Sequence, residues 1–326
     1  MKKILILGFF FFLWALCGPL PGGAAELKFF KIVSTSPGGI WHTFGVQLAD
    51  ALQKEFPEIS INHVPGGSDK NHIMVSNNEA QMGFSFTPVS LEAYLGKGMF
   101  KKPYKDARVI GTHFATFLHP VVRKGVNVTH ISQLKDKVIS PGKRGWGTTA
   151  ICMEILKLYG ITPESMKAAG GTMQFLGFPD VTAMMQDRRL DAFMYYSSVP
   201  SPLLLTLAEN PGIDLPPYNE QDVEKILAAL EPKGAFIKLQ YPKNPYKGVK
   251  GDFPCPIMWS IFLVNKDVPE SMVYTITKVL YENKALRDFM GGGTSLNVQY
   301  ATAGMKEGPF PFHPGAIRYF KEKGVW

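Results

Sequence analysis

Cysteine is scarce in this sequence of 326 residues, which has three, at positions 17, 152 and 255. Three cysteines cannot build a disulfide framework or a cysteine-based zinc site. Charged residues make up only 19% of the chain, and the surplus of 35 basic over 27 acidic residues is scattered. No basic block therefore marks a nucleic-acid-binding surface, and a hydrophobic content of 45% argues against disorder.

Long apolar runs are missing after the N-terminus. The run at 4–16 follows Lys2 and Lys3, is uncharged, and precedes the small residues of 22–25. It is shorter than the roughly 20 residues of a membrane-spanning helix, and its order of basic, apolar and small segments is typical of a secretory signal peptide. We expect cleavage after Ala25 and export to the periplasm.

The cysteines leave two questions open. Cys17 could become a lipidated first residue, although Leu16 is larger than the small residue expected before it. Cys152 and Cys255 could pair only if the fold brings them together. Cys152 lies on an apolar stripe with helical spacing, which favours a buried free thiol.

Strand-like and helix-like segments alternate through the rest of the chain. Residues 29–33 predict a strand, and Phe44, Leu48 and Leu52 recur on one helix face. Further strands are predicted at 59–64, 81–86, 137–140, 173–178 and 190–196, and further helices at 69–76, 150–159, 223–230 and 269–283. This alternation predicts an α/β fold with a largely parallel sheet.

Two more strands, near 118–124 and 257–265, are predicted to cross between two lobes. The chain length also favours two domains, since one domain takes about 150 residues. We assign the signal peptide to 1–25, lobe I to 26–117 and 265–326, and lobe II to 118–264. Ligands of open α/β sheets bind beyond the carboxyl ends of the strands, so we expect a ligand in the cleft between the lobes.

Three glycine-containing loops precede predicted helices, at 34–41, 66–68 and 145–149. Such loops present backbone N–H groups and the positive end of a helix dipole to an anion, and threonine hydroxyls add donors. An ordinary helix start with a capping threonine explains the same residues. Aromatic residues near these loops could form pocket walls or pack in the core. The predicted ligand-binding residues are Ser36, Gly39, Trp41, Phe86, Trp146, Gly147, Thr148, Thr149, Tyr195 and Ser197.

Signatures of catalysis and of cofactor binding are missing from the sequence. The seven histidines show no metal-ligand spacing, and neither a Gly-x-Ser-x-Gly elbow nor a Gly-x-Gly-x-x-Gly fingerprint occurs. We therefore expect no metal, no cofactor and no enzymatic activity. A catalytic pair that only the fold brings together stays open as an alternative.

The order of the motifs resembles the TAXI-type solute receptors of tripartite ATP-independent periplasmic (TRAP) transporters. The resemblance is carried, in chain order, by SPGGIW at 36–41, GGS at 66–68 with Asn71 and QMGF at 81–84, LHPVVR at 118–123, GWGT at 145–148, LDAF at 190–193 with PSP at 200–202, and HPGAIRY at 313–319. It implies a type II periplasmic-binding fold that captures a small organic acid. It also implies delivery to integral-membrane TRAP permease subunits, by a monomer without a nucleic-acid partner.

Two positions depart from the family pattern. Trp146 stands where the family usually has serine, and Ile40 and Trp41 stand where a tyrosine-like residue with a small polar neighbour is usual. Both changes predict a tighter or more apolar pocket than one built for glutamate. The alternative functions are an ABC-type or sensor-coupled periplasmic binding protein, or an exported enzyme on the same scaffold.

Overall fold

A computed structural model describes residues 27–35, 40–144, 146–306 and 310–326. The predicted signal peptide at 1–25, its cleavage point, Cys17, Ser36 and Gly39 lie outside the described residues. The strands are β1 (Phe29–Val33), β2 (Ser60–Val64), β3 (Met82–Phe86), β4 (Ala107–Arg123), β5 (Val138–Ser140), β6 (Thr172–Met173), β7 (Ala192–Ser197), β8 (Ile213–Asp214), β9 (Phe236–Gln240) and β10 (Pro254–Asn265).

The helices surround the strands and start, in most cases, directly after one. They are α1 (Ile40–Glu55), α2 (Ser68–Ser76), α3 (Thr87–Leu95), α4 (Gly147–Leu158), α5 (Pro163–Ala168), α6 (Phe178–Gln186), α7 (Pro202–Glu209), α8 (Glu220–Ala229), α9 (Glu270–Glu282), α10 (Lys284–Met290) and α11 (Pro314–Glu322), with short 3-10 turns at Ile131–Leu134 and Val298–Tyr300. Across the described ranges, every helix is too short or too polar to cross a membrane.

All of these strands join one sheet in the order β2-β1-β3-β10-β4-β7-β5-β6, with β8 beside β4 and β9 beside β10. Strands β1, β2 and β3 are parallel to one another, as are β5, β6 and β7. The two parallel groups flank β10 and β4, which are antiparallel to each other. This arrangement confirms the predicted α/β fold of the type II periplasmic-binding class.

The two central strands are shared by both groups. One half of β10, residues 260–264, pairs with β3, and the other half, 254–258, pairs with β9. The second half of β4, residues 117–122, pairs with β7. The predicted crossing strands are therefore confirmed, and β4 begins earlier than predicted. Lobe I (26–117 and 265–326) and lobe II (118–264) keep their predicted boundaries as a prediction.

Apolar stripes hold the helices to the sheet. Phe44, Leu48 and Leu52 of α1 are fully buried, as their spacing predicted, and burial of each such side chain contributes about 1.5–3 kcal/mol. In α4 the stripe includes Cys152, which is buried and free, as is Cys255. Burial raises the pKa of both thiols well above the ordinary value, so they act as small apolar groups.

Two segments differ from the sequence-based prediction. The strand predicted at 173–178 is reduced to Thr172–Met173, because α6 begins at Phe178 with Pro179 in its first turn, a position that suits proline. The proline-rich stretch before β10 contains β9, which pairs along its whole length with β10. Its prolines lie on either side of the strand, where their lack of an N–H group interrupts no ladder.

Candidate functional site

The carboxyl ends of the two parallel strand groups approach each other along the crossing strands. Phe86, the last residue of β3, pairs with Ser260 of β10. Ser197, the last residue of β7, pairs with Phe117 of β4, whose own partner on β10 is Ile257. The interval from Ile257 to Ser260 spans about 10 Å at 3.3 Å per residue. Loops that follow both strand groups therefore meet over one short stretch of the sheet.

Trp41 and Phe86 come together on the lobe I side of this interval. The ring centroids are 4.6 Å apart, and the Trp41 Nε1–H group donates a hydrogen bond to Ser260 Oγ at 2.8 Å. Trp41 is only 6% exposed, so it braces the first turn of α1 against the sheet. Phe86 is half-buried and keeps ring surface that a ligand could contact.

Asn71 of α2 organises the loops of lobe I, a role that the sequence analysis did not assign. Its Nδ2 amide donates to the carbonyls of Ser34 at 2.6 Å and Phe84 at 2.8 Å, and its Oδ1 accepts from the Gly67 N–H group at 3.0 Å. A Cβ at Gly66 would lie 2.0 Å from that Oδ1, which explains the glycine. One buried amide thus joins the loops after β1 and β2 to the middle of β3. The available signal was Asn71 three residues after Gly-Gly-Ser.

A serine and a histidine lie within hydrogen-bonding distance at the ends of β1 and β2. Ser34 Oγ is 2.6 Å from His63 Nε2, and burial, with a smaller effect of nearby His42, lowers the pKa of His63. A nucleophile and base at this distance are the minimum for covalent catalysis, which also needs access to the substrate. Ser34 is fully buried, so this pair lends no support to the enzyme alternative.

The start of α4 forms part of the candidate site on the lobe II side of the 257–260 interval. Within the described ranges, the N–H groups of Gly147 and Thr148 donate to no protein acceptor, as is usual in the first turn of a helix. The Thr149 hydroxyl donates to the Lys143 carbonyl at 2.8 Å, so it shapes the preceding loop. Thr149 is buried and Thr148 half-buried, which leaves Thr148 as the accessible hydroxyl of the pair.

Three aromatic side chains, Trp146, Phe178 and Tyr195, form a row that we call the aromatic row. Ring centroids are 4.7 Å apart for Trp146 and Phe178, and 5.1 Å apart for Phe178 and Tyr195. These residues follow or end β5, β6 and β7, which are parallel, so their carboxyl ends share an edge. Trp146 and Tyr195 are among the predicted ligand-binding residues, whereas Phe178 is not, because 173–178 was predicted to be a strand.

His119 fixes the end of β7. Its Nε2 lies 3.3 Å from the Ser197 carbonyl, and its Nδ1 lies 2.7 Å from the Tyr241 hydroxyl. Burial lowers the pKa of His119 to about 3, so the ring is neutral, with Nε2–H donating and Nδ1 accepting. This bond uses the Ser197 carbonyl and leaves its half-buried hydroxyl available.

Few ionisable groups lie close to the aromatic row. Lys143 and Asp180 flank Gly177, at 3.9 and 4.0 Å from the position a Cβ would take there. Arg144 lies over the Phe175 ring at 3.7 Å and is exposed. No group of three histidine, cysteine or acidic residues in the described part of the chain could hold a metal ion. The described site therefore combines uncharged donors and rings with the charged side chains of Lys143, Arg144 and Asp180 at its margin.

Comparison with protein families gives a match over residues 32–324 to the NMT1-like family, and the chain belongs to that family. Similar solved structures include the periplasmic aliphatic sulphonate binding protein SsuA from Escherichia coli, at 12% identity and a TM-score of 0.47, with 82% of this chain and 80% of that one covered. The narrower resemblance to TAXI receptors stays a prediction.

Two other similar structures are a protein with a bound ligand and a binding protein of an amino acid ABC transporter. PhnD1 from Prochlorococcus marinus, in complex with methylphosphonate, matches at 11% identity and a TM-score of 0.48, over 82% of this chain and 91% of that one. A substrate binding protein of an amino acid ABC transporter matches at 11% identity and a TM-score of 0.42, over 80% of this chain and 97% of that one.

Proposed function

We propose that this protein is a periplasmic solute-binding receptor that captures a small carboxylate-bearing solute between its lobes and delivers it to a membrane permease. The observation that carries the proposal is the convergence of β3 and β7 on one 10 Å interval of the crossing strands. A cleft at such a convergence encloses a ligand with groups from both lobes.

The solute's carboxylate is held by the N–H groups of Gly147 and Thr148 and by the Thr148 hydroxyl. Anionic oxygens suit this position because the two N–H groups donate to no acceptor among the described residues and the helix dipole is positive there. Tyr195 and Ser197 add hydroxyls from the end of β7. Phe86, Trp146 and the edge of Trp41 form apolar walls, while Thr149 supports the loop. Ser36 and Gly39 complete the site in this proposal.

In this proposal the lobes close by a hinge motion at the crossing strands. The Thr87 hydroxyl, at the start of α3, donates to the Ala235 carbonyl at 2.7 Å and accepts from the Trp259 N–H group at 3.2 Å. Thr87 belongs to lobe I and Ala235 to lobe II, so this bond lies at the pivot. The solute stabilises the closed state because it contacts both lobes only there. No bond in the solute is made or broken.

The membrane partner is a separate question. The motif order implies TRAP permease subunits, and an ABC-type permease is the alternative, which the comparisons fit at least as well. Uptake by cells that express the receptor with each candidate permease distinguishes the two. Collapse of the ion gradient abolishes uptake by a TRAP system, whereas depletion of ATP at a preserved gradient abolishes uptake by an ABC system.

Titration calorimetry with a panel of carboxylates, sulfonates and amino acids tests solute capture. We expect saturable binding of a carboxylate, and Thr148→Ala should weaken it by about 1–3 kcal/mol because an enclosed anion loses a donor. Thr275→Ala, on α9, is the matched control, since its hydroxyl donates within its own helix, to the Ser271 carbonyl at 3.2 Å, and α9 supplies no residue of the proposed site. Equal affinities of wild type and Thr148→Ala would remove α4 from the site, and no binding by the wild type would refute the proposed function.

A further inference from the structure

A phenylalanine is held at the surface by a well-ordered helix start. Phe178, the first residue of α6, is 42% exposed. The Val181 N–H group donates to the Gly177 carbonyl at 2.9 Å, and the Thr182 hydroxyl donates to the Phe178 carbonyl at 2.9 Å. The exposure of this ring is therefore fixed by hydrogen-bonded backbone.

Phe178 is also the centre of the aromatic row. Its ring is tilted by 53° to Trp146 and lies edge-on to Tyr195, at 75°. Neither neighbour stacks face to face on it, and the residue is 42% exposed, so ring surface of Phe178 stays open. A rigid ring with an open face can receive an offset or edge-on aromatic partner without reordering.

Lobe I presents a second aromatic surface to the same interval. Phe86 ends β3, is half-buried, and is supported from behind by Trp41 at 4.6 Å. Both lobes therefore bring phenyl rings to the ends of the strands. A flat apolar body fits between such surfaces better than a hydrated polar chain, which would lose its water without gaining hydrogen bonds.

We propose that the solute is an aromatic carboxylate and that Phe178 is the residue that determines the preference for a planar ring. The inference rests on the proposed function and adds the chemical class of the solute. The carboxylate occupies the start of α4, and the aromatic ring lies against Phe178, which Trp146 and Tyr195 hold in place.

The test compares acids that are matched except for planarity. Calorimetry on the exported protein uses benzoate with cyclohexanecarboxylate, and phenylacetate with cyclohexylacetate. We expect the wild type to bind the aromatic member of a pair about 5-fold more tightly, the gain typical of one aromatic contact. Phe178→Leu should reduce this ratio to about one, because it keeps an apolar side chain without a ring, while the cyclohexyl acid keeps its affinity. Phe178→Tyr should preserve the ratio.

The matched control is Phe29→Leu, at the start of β1 and so at the end of the strand opposite to the site. Phe29 is 68% exposed, and its replacement should leave the ratio unchanged. Equal wild-type affinities within each pair would overturn the aromatic preference and leave solute capture standing. An unchanged ratio in Phe178→Leu would overturn the role of Phe178 in that preference and would also leave solute capture standing. Tighter binding of glycine betaine would overturn it in favour of a cation between the rings. No binding of any carboxylate would refute the proposed function itself.

Discussion

Asn71 should be among the most sensitive positions of lobe I. Asn71→Ala removes the partners of three backbone groups, the Ser34 and Phe84 carbonyls and the Gly67 N–H group, in a fully buried location. Each buried group left without a partner costs about 1–3 kcal/mol, and the costs add incompletely because water can enter the space. We expect a loss of about 3 kcal/mol in the free energy of unfolding.

The loss is large enough to measure by two methods. For a cooperative unit of about 150–250 residues, 3 kcal/mol lowers Tm by roughly 6–12 °C. Urea denaturation should show a lower midpoint with an unchanged slope, since the folded surface stays the same. Solute affinity should fall as well, because the same amide positions the loops after β1 and β2 against β3.

Two further variants separate the causes. Asn71→Asp keeps the size of the side chain and its acceptor oxygen but replaces the NH2 group, which donates two hydrogen bonds, by an oxygen. It therefore removes the two donated hydrogen bonds without creating a cavity. Asn62→Ala, on the exposed face of β2, is the matched control, since its side-chain amide has Ser60 as its only hydrogen-bond partner in the part of the chain that the structure describes. If Asn71→Asp were as stable as the wild type, or if Asn71→Ala behaved like Asn62→Ala, the three hydrogen bonds would not stabilise lobe I.

The other predictions concern pH, pocket shape and the hinge. Burial lowers the pKa of His113 well below its ordinary value. The free energy of unfolding is therefore highest above about pH 6.5, where the imidazole is neutral in both the folded and the unfolded state, and it falls as the pH drops below that value, because the unfolded state then binds a proton that the folded state does not. His113→Phe should flatten urea midpoints measured from pH 7 to 5, and unchanged dependence would contradict this. Trp146→Ser should extend binding to polar acids, and a thermal-shift panel identical to wild type would contradict that. Thr87→Val should change the open and closed populations seen by small-angle scattering, whereas Thr206→Val should not.

Local sequence patterns predicted the elements well where one feature dominated. The stripe of Phe44, Leu48 and Leu52 has the period of a helix and was found buried in α1. The apolar runs near 118–124 and 257–265 became the buried crossing strands, since a strand covered on both faces must be apolar along its length. Cys152 was predicted as a buried free thiol because it lies on an apolar stripe with helical spacing, and this is confirmed.

Prediction of the candidate site was less complete, because its residues depend on distant partners. Phe178 was missed because the alternating apolar residues of 173–178 are typical of a strand, whereas a helix begins at Phe178, with Pro179 in its first turn. Asn71 is unremarkable as a single asparagine, and its role depends on two carbonyls from β1 and β3. Thr149 is one of the predicted ligand-binding residues, which stay a prediction, and only the structure shows that its hydroxyl donates to the Lys143 carbonyl, six residues earlier in the chain.

The sequence by itself determined the α/β class, the crossing strands and the small-residue loops after the strands, because these follow from local periodicity and composition. Only the tertiary structure decided which loops meet. The register of β3 on β10, and of β7 on β4, places the two sets of strand ends opposite positions that are only about 10 Å apart along β10. That register depends on packing between segments more than 100 residues apart, such as Ser85 and Ile261, and no local pattern encodes it.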